Sequence, residues 1–397
     1  MRIVQTVFGV FHHFELAREM DRRGHLQKVY STYPWARLKR EDIPHAKVET
    51  FPWFHTPEML LLRARLNIHQ LRDPLNYANA LAFDAWTSRR LRRAPTPDVL
   101  IAISGSSLRT GRELQARGTR MVCDRGSSHQ RYQERIVSEE YRRWNVKRPV
   151  TDPRDIRREE LIYEQADAIT VPSTFAARSF IEMGLPPEKI YIIPYGVRLE
   201  SFARTAAPPS NRFEVLFAGA VGLRKGVPYL LESFALLRHP AKRLRIAGML
   251  HPDIKPILRN LPQDHVEFLG PVTQPKLAEL MTTSHLMVLP SIEEGLALVQ
   301  GQALACGCPV LCSTNTGGED LFTDGVEGFI VPIRDVPALT ARMQQLADDP
   351  ILQATMSHAA LQRVRTLSGW GDYGDRWEAL LQTLVSTGKP GAPPPTK

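Results

Sequence analysis

The sequence lacks any long hydrophobic run. Although 43% of its 397 residues are hydrophobic, no apolar stretch reaches the roughly 18 residues that a membrane-spanning helix requires. The amino-terminal stretch MRIVQTVFGVF is short and passes directly into a strand-like pattern, so we do not interpret it as a signal peptide. We therefore expect a cytoplasmic protein without a transmembrane helix.

Cysteine is also scarce. The four cysteines, Cys123, Cys306, Cys308 and Cys312, suggest a reducing compartment. Cys306 and Cys308 are close enough in sequence to suggest metal ligands, but no second His or Cys pair stands at zinc spacing. We interpret the cysteines as small packing residues, and we predict neither a metal site nor a cofactor.

Basic residues outnumber acidic ones by 51 to 42, which gives a net charge of +9. This balance suits nucleotide phosphates, an anionic membrane surface or nucleic acid alike. No nucleic-acid motif is present, and no basic run is interleaved with aromatic residues. We therefore expect no nucleic-acid partner. The length suggests two domains.

The most informative stretch covers residues 285–320. Its apolar run Leu286–Leu289 predicts a buried strand. Residues 296–306 predict a helix that ends at Gly307 and Pro309, because glycine caps a helix and proline stops it. The whole stretch predicts a strand, a loop, a helix and a second strand.

The loop between this strand and this helix carries Glu293, Glu294 and Gly295. Ligands bind beyond the carboxyl ends of parallel strands, where Glu294 is predicted to lie. The free N–H groups at a helix N-terminus attract phosphate. We predict that the N–H groups of Leu296, Ala297 and Leu298 bind a phosphate in this way. Gln302 follows Glu294 by about two helical turns, so we expect both on one helix face.

A glycine-rich turn, residues 219–226, follows a predicted strand at 213–218. It contains Gly219, Arg224 and Lys225, and it leads into a predicted helix. Two cations in a turn that enters a helix suit a pyrophosphate, although the Gly-Lys-Ser/Thr order of a P-loop is missing. The alternative is a solvated pair of charges.

Candidate site residues also follow strands of the first half. Gly9 follows the first strand and permits a close backbone approach. His12 and His13 begin the next helix, where they either contact substrate or only start the helix. Asp124 and His129 lie in a polar segment after the strand at residues 120–123, and polar groups at such a place predict a site.

The acidic loop and the helix after it resemble the donor-site motif of retaining glycosyltransferases of family 4 (glycosyl transferases group 1). The matching residues are Glu294, Gly295, Ala303, Leu304, Ala305, Gly307, Pro309 and Val310. The second glutamate of the motif, which bonds the nucleotide ribose in the family, is Gln302 here. Because glutamine both donates and accepts hydrogen bonds, we expect altered nucleotide binding rather than its loss.

The resemblance extends to other segments. Lys225 matches the phosphate-binding lysine of the family, whereas Arg224 takes the arginine role by proximity only, since Ala220 follows Gly219. The family's glycine loop has one glycine here, Gly9. Family members often carry a functional histidine after a strand of the first domain; by analogy His129 is the candidate, with Asp124 second.

The resemblance implies an α/β fold with two Rossmann-like domains facing a cleft (GT-B) and a C-terminal helix that crosses back to the first domain. The implied divisions are an acceptor domain (1–197), a linker (198–212), a nucleotide-sugar domain (213–365), a crossover helix (366–386) and a disordered tail (387–397).

The implied function is sugar transfer from a nucleotide-sugar to a hydroxyl of a glycan, lipid-linked or small-molecule acceptor, with retention and without a metal. Arg224 and Lys225 would stabilise the leaving diphosphate. Glu294 would hold sugar hydroxyls and stabilise positive charge at the anomeric carbon. Two alternatives stay open: a nucleotide-sugar-binding protein without transferase activity, which Gln302 favours, and a sugar-nucleotide epimerase or glycan phosphorylase.

Residues 34–96 mix apolar, aromatic and arginine residues in the segments Trp35–Arg40, Met59–Leu71 and Trp86–Arg93. Basic amphipathic helices of this kind can lie on an anionic bilayer. We favour the alternative of a solvated helix face, and keep as a hypothesis that the region contacts a lipid-linked or membrane-proximal acceptor.

Overall fold

The structure is a computed structural model that describes residues 1–53, 69–148, 151–197, 199–367 and 369–387. Most of the predicted helix Met59–Leu71 and the predicted disordered tail after Thr387 lie outside the described residues. Among the described helices, none combines the length and the apolarity needed to span a bilayer.

The first domain is built on a seven-stranded sheet with the order β3-β2-β1-β4-β5-β6-β7, in which all neighbours are parallel. The strands are β1 Ile3–Val7, β2 Leu26–Ser31, β3 Val48–Thr50, β4 Val99–Ile103, β5 Arg120–Asp124, β6 Ala168–Val171 and β7 Ile190–Ile192. The central strands β1, β4 and β5 are buried along most of their length, because helices cover both faces of the sheet. The strand order reverses between β1 and β4, and such a switch point opens a crevice at the carboxyl ends.

Helices connect these strands. They are α1 His12–Arg22, α2 Trp35–Leu38, α3 His69–Arg92, α4 Leu108–Gln115, α5 Gln130–Arg143, α6 Pro153–Gln165 and α7 Thr174–Glu182. Side-chain caps fix several starts: Ser173 Oγ accepts the Ala176 N–H at 3.1 Å at the start of α7, which satisfies an amide that has no partner within the helix.

The second domain repeats the plan with six parallel strands in the order β10-β9-β8-β11-β12-β13. The strands are β8 Phe213–Ala218, β9 Lys242–Ala247, β10 Val266–Gly270, β11 Leu286–Leu289, β12 Val310–Ser313 and β13 Gly328–Val331. The helices are α8 Val227–Leu236, α9 Lys255–Leu258, α10 Gln274–Thr282, α11 Val299–Ala305, α12 Val336–Asp348 and α13 Pro350–Arg363. Its switch point lies between β8 and β11, which places the glycine turn beside the acidic loop.

The last helix, α14 Trp370–Thr387, packs against α1 of the first domain. Arg23 donates to the Gly371 carbonyl at 3.0 Å, and His25 bonds the Glu378 carboxylate at 2.6 Å. The predicted fold class, two α/β domains of the Rossmann type with a C-terminal helix that returns to the first domain, is confirmed. The predicted division points between the domains stay predictions.

Candidate active site

The glycine turn and the acidic loop of the second domain are in direct contact. The Ile292 N–H donates to the Arg224 carbonyl at 2.8 Å. Gly226 has a φ of +66°, and a Cβ there would lie 1.9 Å from the Pro290 carbonyl oxygen. Only glycine fits this position, so the close contact between the two segments depends on it.

Their charged side chains form one cluster. The Lys225 ammonium pairs with the Glu294 carboxylate. Arg224 Nη1 lies 3.2 Å from Glu293 Oε2 and 4.0 Å from Glu294 Oε2. The structure therefore brings Arg224, Lys225 and Glu294 together at one crevice, as the sequence predicts, and adds Glu293 to them.

Arg224 and Glu293 each stabilise the charged form of the other. Burial acts to lower the pKa of Arg224, but Glu294 and Glu293 outweigh it and raise the pKa. Burial acts to raise the pKa of Glu293, but Arg224 and hydrogen bonds from Ser127 and other donors outweigh it and lower the pKa. Two cations thus face two carboxylates.

Glu293 also joins the second domain to the first. Its carboxylate is fully buried and accepts from Ser127 Oγ at 2.6 Å, Ser128 Oγ at 2.7 Å and Gln133 Nε2 at 2.7 Å. The sequence interpretation gave Glu293 no role. In the sequence Glu293 is visible only as the first of two acidic residues before Gly295. Its role could not be predicted because its partners Ser127 and Gln133 are 166 and 160 residues away.

The backbones of the two domains approach closely beside Glu293. A Cβ at Gly295 would lie 2.0 Å from the Gly126 carbonyl oxygen, so a side chain at residue 295 would push the domains apart. Ser173 Oγ donates to the Gly295 carbonyl at 2.6 Å, and Thr174 Oγ1 donates to Asp320 Oδ1 at 2.6 Å. The carboxyl ends of both sheets therefore meet at this crevice.

The helix after Gly295 starts later than predicted. It begins at Val299, because the Ala297 N–H donates to the Thr316 carbonyl at 3.1 Å and holds the preceding residues as a loop. The prediction that the helix begins at Leu296 is therefore wrong, and the Ala297 amide is already occupied. The predicted contacts of Leu296 and Leu298 with a phosphate stay predictions.

Gln302 and Glu294 do not share a helix face, contrary to the prediction, for the same reason. Glu294 lies five residues before the helix begins, so helical spacing does not relate the two side chains. Gln302 itself is half-buried in α11. Its predicted contact with a ribose stays a prediction.

In the first domain Asp124 holds both histidines of α1. It is the last residue of β5, and its Oδ2 accepts from His12 Nε2 and from His13 Nδ1, each at 3.0 Å. Its Oδ1 accepts from Thr170 Oγ1 at 3.0 Å. All three members are buried, with 3 to 5% of their surface exposed. The cluster fixes the start of α1 to the sheet.

Burial and the neighbouring His12 lower the pKa of His13 to about 4, against the opposing effect of Asp124. Burial acts to raise the pKa of Asp124, but the two histidines outweigh it and hold the pKa well below its usual range. At neutral pH a neutral His13 therefore faces an ionised carboxylate.

Within the described part of the chain, His12, His13 and Asp124 are also the group whose donor atoms lie close enough to hold a cation, all within 4.8 Å of one another. Two imidazoles and a carboxylate are a ligand set that zinc accepts. In this structure both imidazoles bond the carboxylate, and the second ring nitrogen of His12, Nδ1, is buried without a hydrogen-bond partner. The expectation that the protein needs no metal stays a prediction. The four cysteines are buried and unpaired, as expected for packing residues, and burial raises the pKa of Cys306 to about 12.

His129 has a structural place. It caps α5, where its Nδ1 accepts the Arg131 N–H at 3.2 Å, and its ring packs 5.0 Å from Tyr163 and 5.1 Å from Phe180. Burial lowers its pKa to about 4. These surroundings favour a structural role for His129, because its Nδ1 acceptor caps a helix and its ring lies among aromatic side chains. Its predicted catalytic role stays a prediction.

Two glycines predicted to approach a ligand are differently placed. A Cβ at Gly9 would meet no heavy atom within 4 Å, so Gly9 borders open space. Gly219 has a φ of +152°, and a Cβ there would lie 4.0 Å from Lys225 Cε. Only Gly9 therefore leaves open space at its strand end, and the roles of both glycines in donor binding stay predictions.

Two family models match consecutive parts of the chain. Residues 10–201 match the model described as Glycosyltransferase Family 4, and residues 200–363 match the model described as Glycosyl transferases group 1. The two matches meet between β7 and β8, where the first sheet ends and the second begins.

Curated relatives of the chain are named as glycosyltransferases. The chain is 29% identical over 251 residues to a D-inositol 3-phosphate glycosyltransferase of Kribbella flavida, with 57% of each chain covered. It is 30% identical over 234 residues to one of Pseudarthrobacter chlorophenolicus, covering 55% of this chain and 56% of the relative. The matches thus span under two thirds of these relatives.

Solved structures resemble the whole chain. Sucrose-phosphate synthase from Thermosynechococcus elongatus has a TM-score of 0.70 at 18% identity, with 97% of this chain and 100% of that chain covered. HepE from Anabaena, solved in complex with UDP-glucose, has a TM-score of 0.65 at 18% identity with the same coverage. At this identity the likeness shows the fold.

Proposed function

Because the chain belongs to the glycosyltransferases of the GT-B fold, we propose that it transfers a sugar from a nucleotide-sugar donor to a hydroxyl of an acceptor. The observation that carries this proposal is the cluster of Arg224, Lys225 and Glu294 at the carboxyl ends of the second sheet. This is where ligands of such sheets bind, and its two cations suit a diphosphate.

The proposed chemistry assigns each charge a task. Arg224 and Lys225 stabilise the negative charge that develops on the leaving diphosphate, and preorganised donors of this kind contribute about 3–4 kcal/mol each. Lys225 then exchanges Glu294 for a phosphate, which frees the Glu294 carboxylate for sugar hydroxyls and for positive charge at the anomeric carbon. With two cations in place, the leaving group needs no metal. Retention of configuration follows from the family resemblance.

A uridine diphosphate sugar is the first donor to test, since HepE from Anabaena was solved with UDP-glucose. D-inositol 3-phosphate is the first acceptor to test, since the curated relatives are named for it. The net charge of +9 suits anionic substrates of both kinds. Glycan and lipid-linked hydroxyls are the next acceptors.

The experiment is a transfer assay. The protein is incubated with UDP-, GDP- and ADP-sugars, with and without an acceptor panel that starts with D-inositol 3-phosphate. We expect release of nucleoside diphosphate and a glycosylated product only when an acceptor is present. Conversion of a donor without any acceptor would support an epimerase instead.

Gln302 favours a second candidate, a nucleotide-sugar-binding protein without transferase activity, because the family carries a glutamate there. Binding of a nucleotide-sugar with no transfer to any acceptor, together with no gain of transfer in Gln302→Glu, would favour this candidate. Recovery or increase of transfer in Gln302→Glu would support the enzyme.

We also propose that the basic end of α3 contacts an anionic membrane surface. Trp86, Arg89, Arg90 and Arg93 line a concave surface of about 770 Å³ together with Lys28 of β2. Basic clusters beside an aromatic residue attract anionic headgroups. Flotation with phosphatidylserine vesicles tests this proposal: we expect binding that is lost in Arg89→Glu/Arg93→Glu. No binding of the unaltered protein would contradict it.

A further inference from the structure

Glu293 occupies a site built for an anion. Its carboxylate receives five hydrogen bonds, from Ser127 Oγ, Ser128 N, Ser128 Oγ, Gln133 Nε2 and Arg224 Nη1. A carboxylate has about four lone-pair positions, so its accepting capacity is filled. Four of the five donors come from the first domain, and one, from Arg224, comes from the second.

Arg125 orients the residues of the first domain that bond Glu293. Arg125 is half-buried, and it donates to the Ser128 carbonyl and to Gln133 Oε1, each at 3.0 Å. It also pairs with Glu159 at 3.0 Å. Ser128 and Gln133 are therefore oriented whether or not the second domain is in contact. We call Ser127, Ser128 and Gln133 the serine cradle.

In this structure both cations are paired with carboxylates of the acidic loop, Lys225 with Glu294 and Arg224 with Glu293. A diphosphate that enters beside two carboxylates is repelled by them, so it binds only if it takes at least one of the two cations as its own partner. Glu293 loses least by this release, because the serine cradle supplies four of its five hydrogen bonds.

We propose that Glu293 is an internal competitor of the donor diphosphate: it holds Arg224 in the free protein, and the diphosphate takes Arg224 from it while the carboxylate stays in the serine cradle. This proposal rests on the proposed function and adds a residue that sets donor affinity. It makes the contact between the domains sensitive to whether the donor is bound.

Glu293→Gln tests the proposal. The carboxamide keeps the size and still accepts from the serines, but it has no charge for Arg224. We expect the dissociation constant of UDP, measured by calorimetry, to fall about tenfold, because a like charge beside the diphosphate is removed. A dissociation constant equal to or above that of the unaltered protein would overturn the proposal.

Glu319→Gln is the matched control. Glu319 also pairs across the domains, with Arg178 at 2.8 Å, but both side chains are partly exposed. Its loss removes one carboxylate at the domain boundary without freeing Arg224. We expect the dissociation constant of UDP to stay within about twofold of the unaltered protein, because exposed ion pairs contribute little. A fall in the dissociation constant of UDP as large as that in Glu293→Gln would overturn the proposal.

Ser127→Ala/Ser128→Ala gives the opposite sign and covers the case in which Glu293→Gln does not fold. Without the two hydroxyls Glu293 depends more on Arg224, so we expect UDP to bind several-fold more weakly. If Glu293 only held the two domains together, Glu293→Gln and Ser127→Ala/Ser128→Ala would both weaken UDP binding. Tighter or unchanged binding in the double variant would overturn the proposal.

Inorganic pyrophosphate as a second probe separates this proposal from the proposed function. Tighter pyrophosphate binding in Glu293→Gln, with no sugar transfer by the unaltered protein, would support the competitor role and contradict the transferase. Sugar transfer by the unaltered protein, with no tighter binding of either probe in Glu293→Gln, would contradict the competitor role alone. Absence of binding of both probes to every variant would contradict both.

Discussion

The two domains present different kinds of charged cluster to the crevice between them. In the second domain Arg224 has 41% of its side chain exposed, and each cation faces a carboxylate that a ligand anion can replace. In the first domain the side chains of His12, His13 and Asp124 are only 4 to 5% exposed, and both histidines bond the same carboxylate oxygen. We call Arg224, Lys225, Glu293 and Glu294 the exchangeable cluster, because a ligand can take over its ion pairs. We call His12, His13 and Asp124 the closed cluster, because it is buried and suits a structural role.

The largest expected effect is on the exchangeable cluster. Lys225→Ala removes one of two cations from the diphosphate, so we expect turnover to fall about 10²–10³-fold with the fold intact. Steady-state kinetics and circular dichroism measure the two quantities. Lys276→Ala is the control, since Lys276 is half-exposed and pairs with Glu279 on its own helix. If Lys225→Ala and Lys276→Ala had the same turnover, Lys225 would have no role in stabilising the diphosphate.

The closed cluster should respond in stability. Asp124→Asn leaves two buried imidazoles without an ionised acceptor, so we expect the free energy of unfolding to fall by about 3 kcal/mol. Urea unfolding measures it. Asp375→Asn is the control, because Asp375 is exposed and its pair with Arg23 contributes little. Equal losses in both variants would contradict the scaffold role.

The closed cluster should also give stability a pH dependence. The pKa of His13 is about 4 in the folded protein and about 6.5 in an unfolded chain. Its contribution is complete above pH 6.5. As the pH falls from 6.5 towards 4, the unfolded chain binds a proton that folded His13 does not, so stability falls by up to about 1.4 kcal/mol per pH unit.

The test of this pH dependence compares urea unfolding at pH 7 and pH 5 for the unaltered protein and for His13→Gln. Burial lowers the pKa of His129 and of His285 in the same way, so both proteins should lose stability on acidification. The expected difference is a smaller loss in His13→Gln. Equal losses would show that His13 titrates as in an unfolded chain.

The smallest expected effect concerns His129. His129→Asn keeps a capping oxygen for α5 but loses the ring contacts with Tyr163 and Phe180, so we expect a loss of about 2 kcal/mol in stability. Turnover should change less than about threefold, because the ring lies in the aromatic core. A fall in turnover as large as that of Lys225→Ala would restore the catalytic interpretation.

The parts of the site that the sequence predicted are those built from local motifs. The turn with Arg224 and Lys225 and the loop with Glu294 each follow a strand, and parallel-sheet topology places their ends side by side. Strand and turn patterns are local in sequence, so a single sequence contains them.

The parts that could not be predicted depend on contacts between distant residues. Glu293 meets Ser127 across 166 positions, and His12 meets Asp124 across 112. The late start of α11 depends on the Thr316 carbonyl, which takes the Ala297 amide. Local pattern does not encode such pairings, which is why His129 looked catalytic and Glu293 looked ordinary.

A crystal structure of the complex with UDP tests the central claim most directly. The account predicts both phosphates within about 3.5 Å of Lys225 Nζ and the Arg224 guanidinium, with the pair between Lys225 and Glu294 broken. Phosphates bound elsewhere, with Lys225 still paired to Glu294, would contradict it.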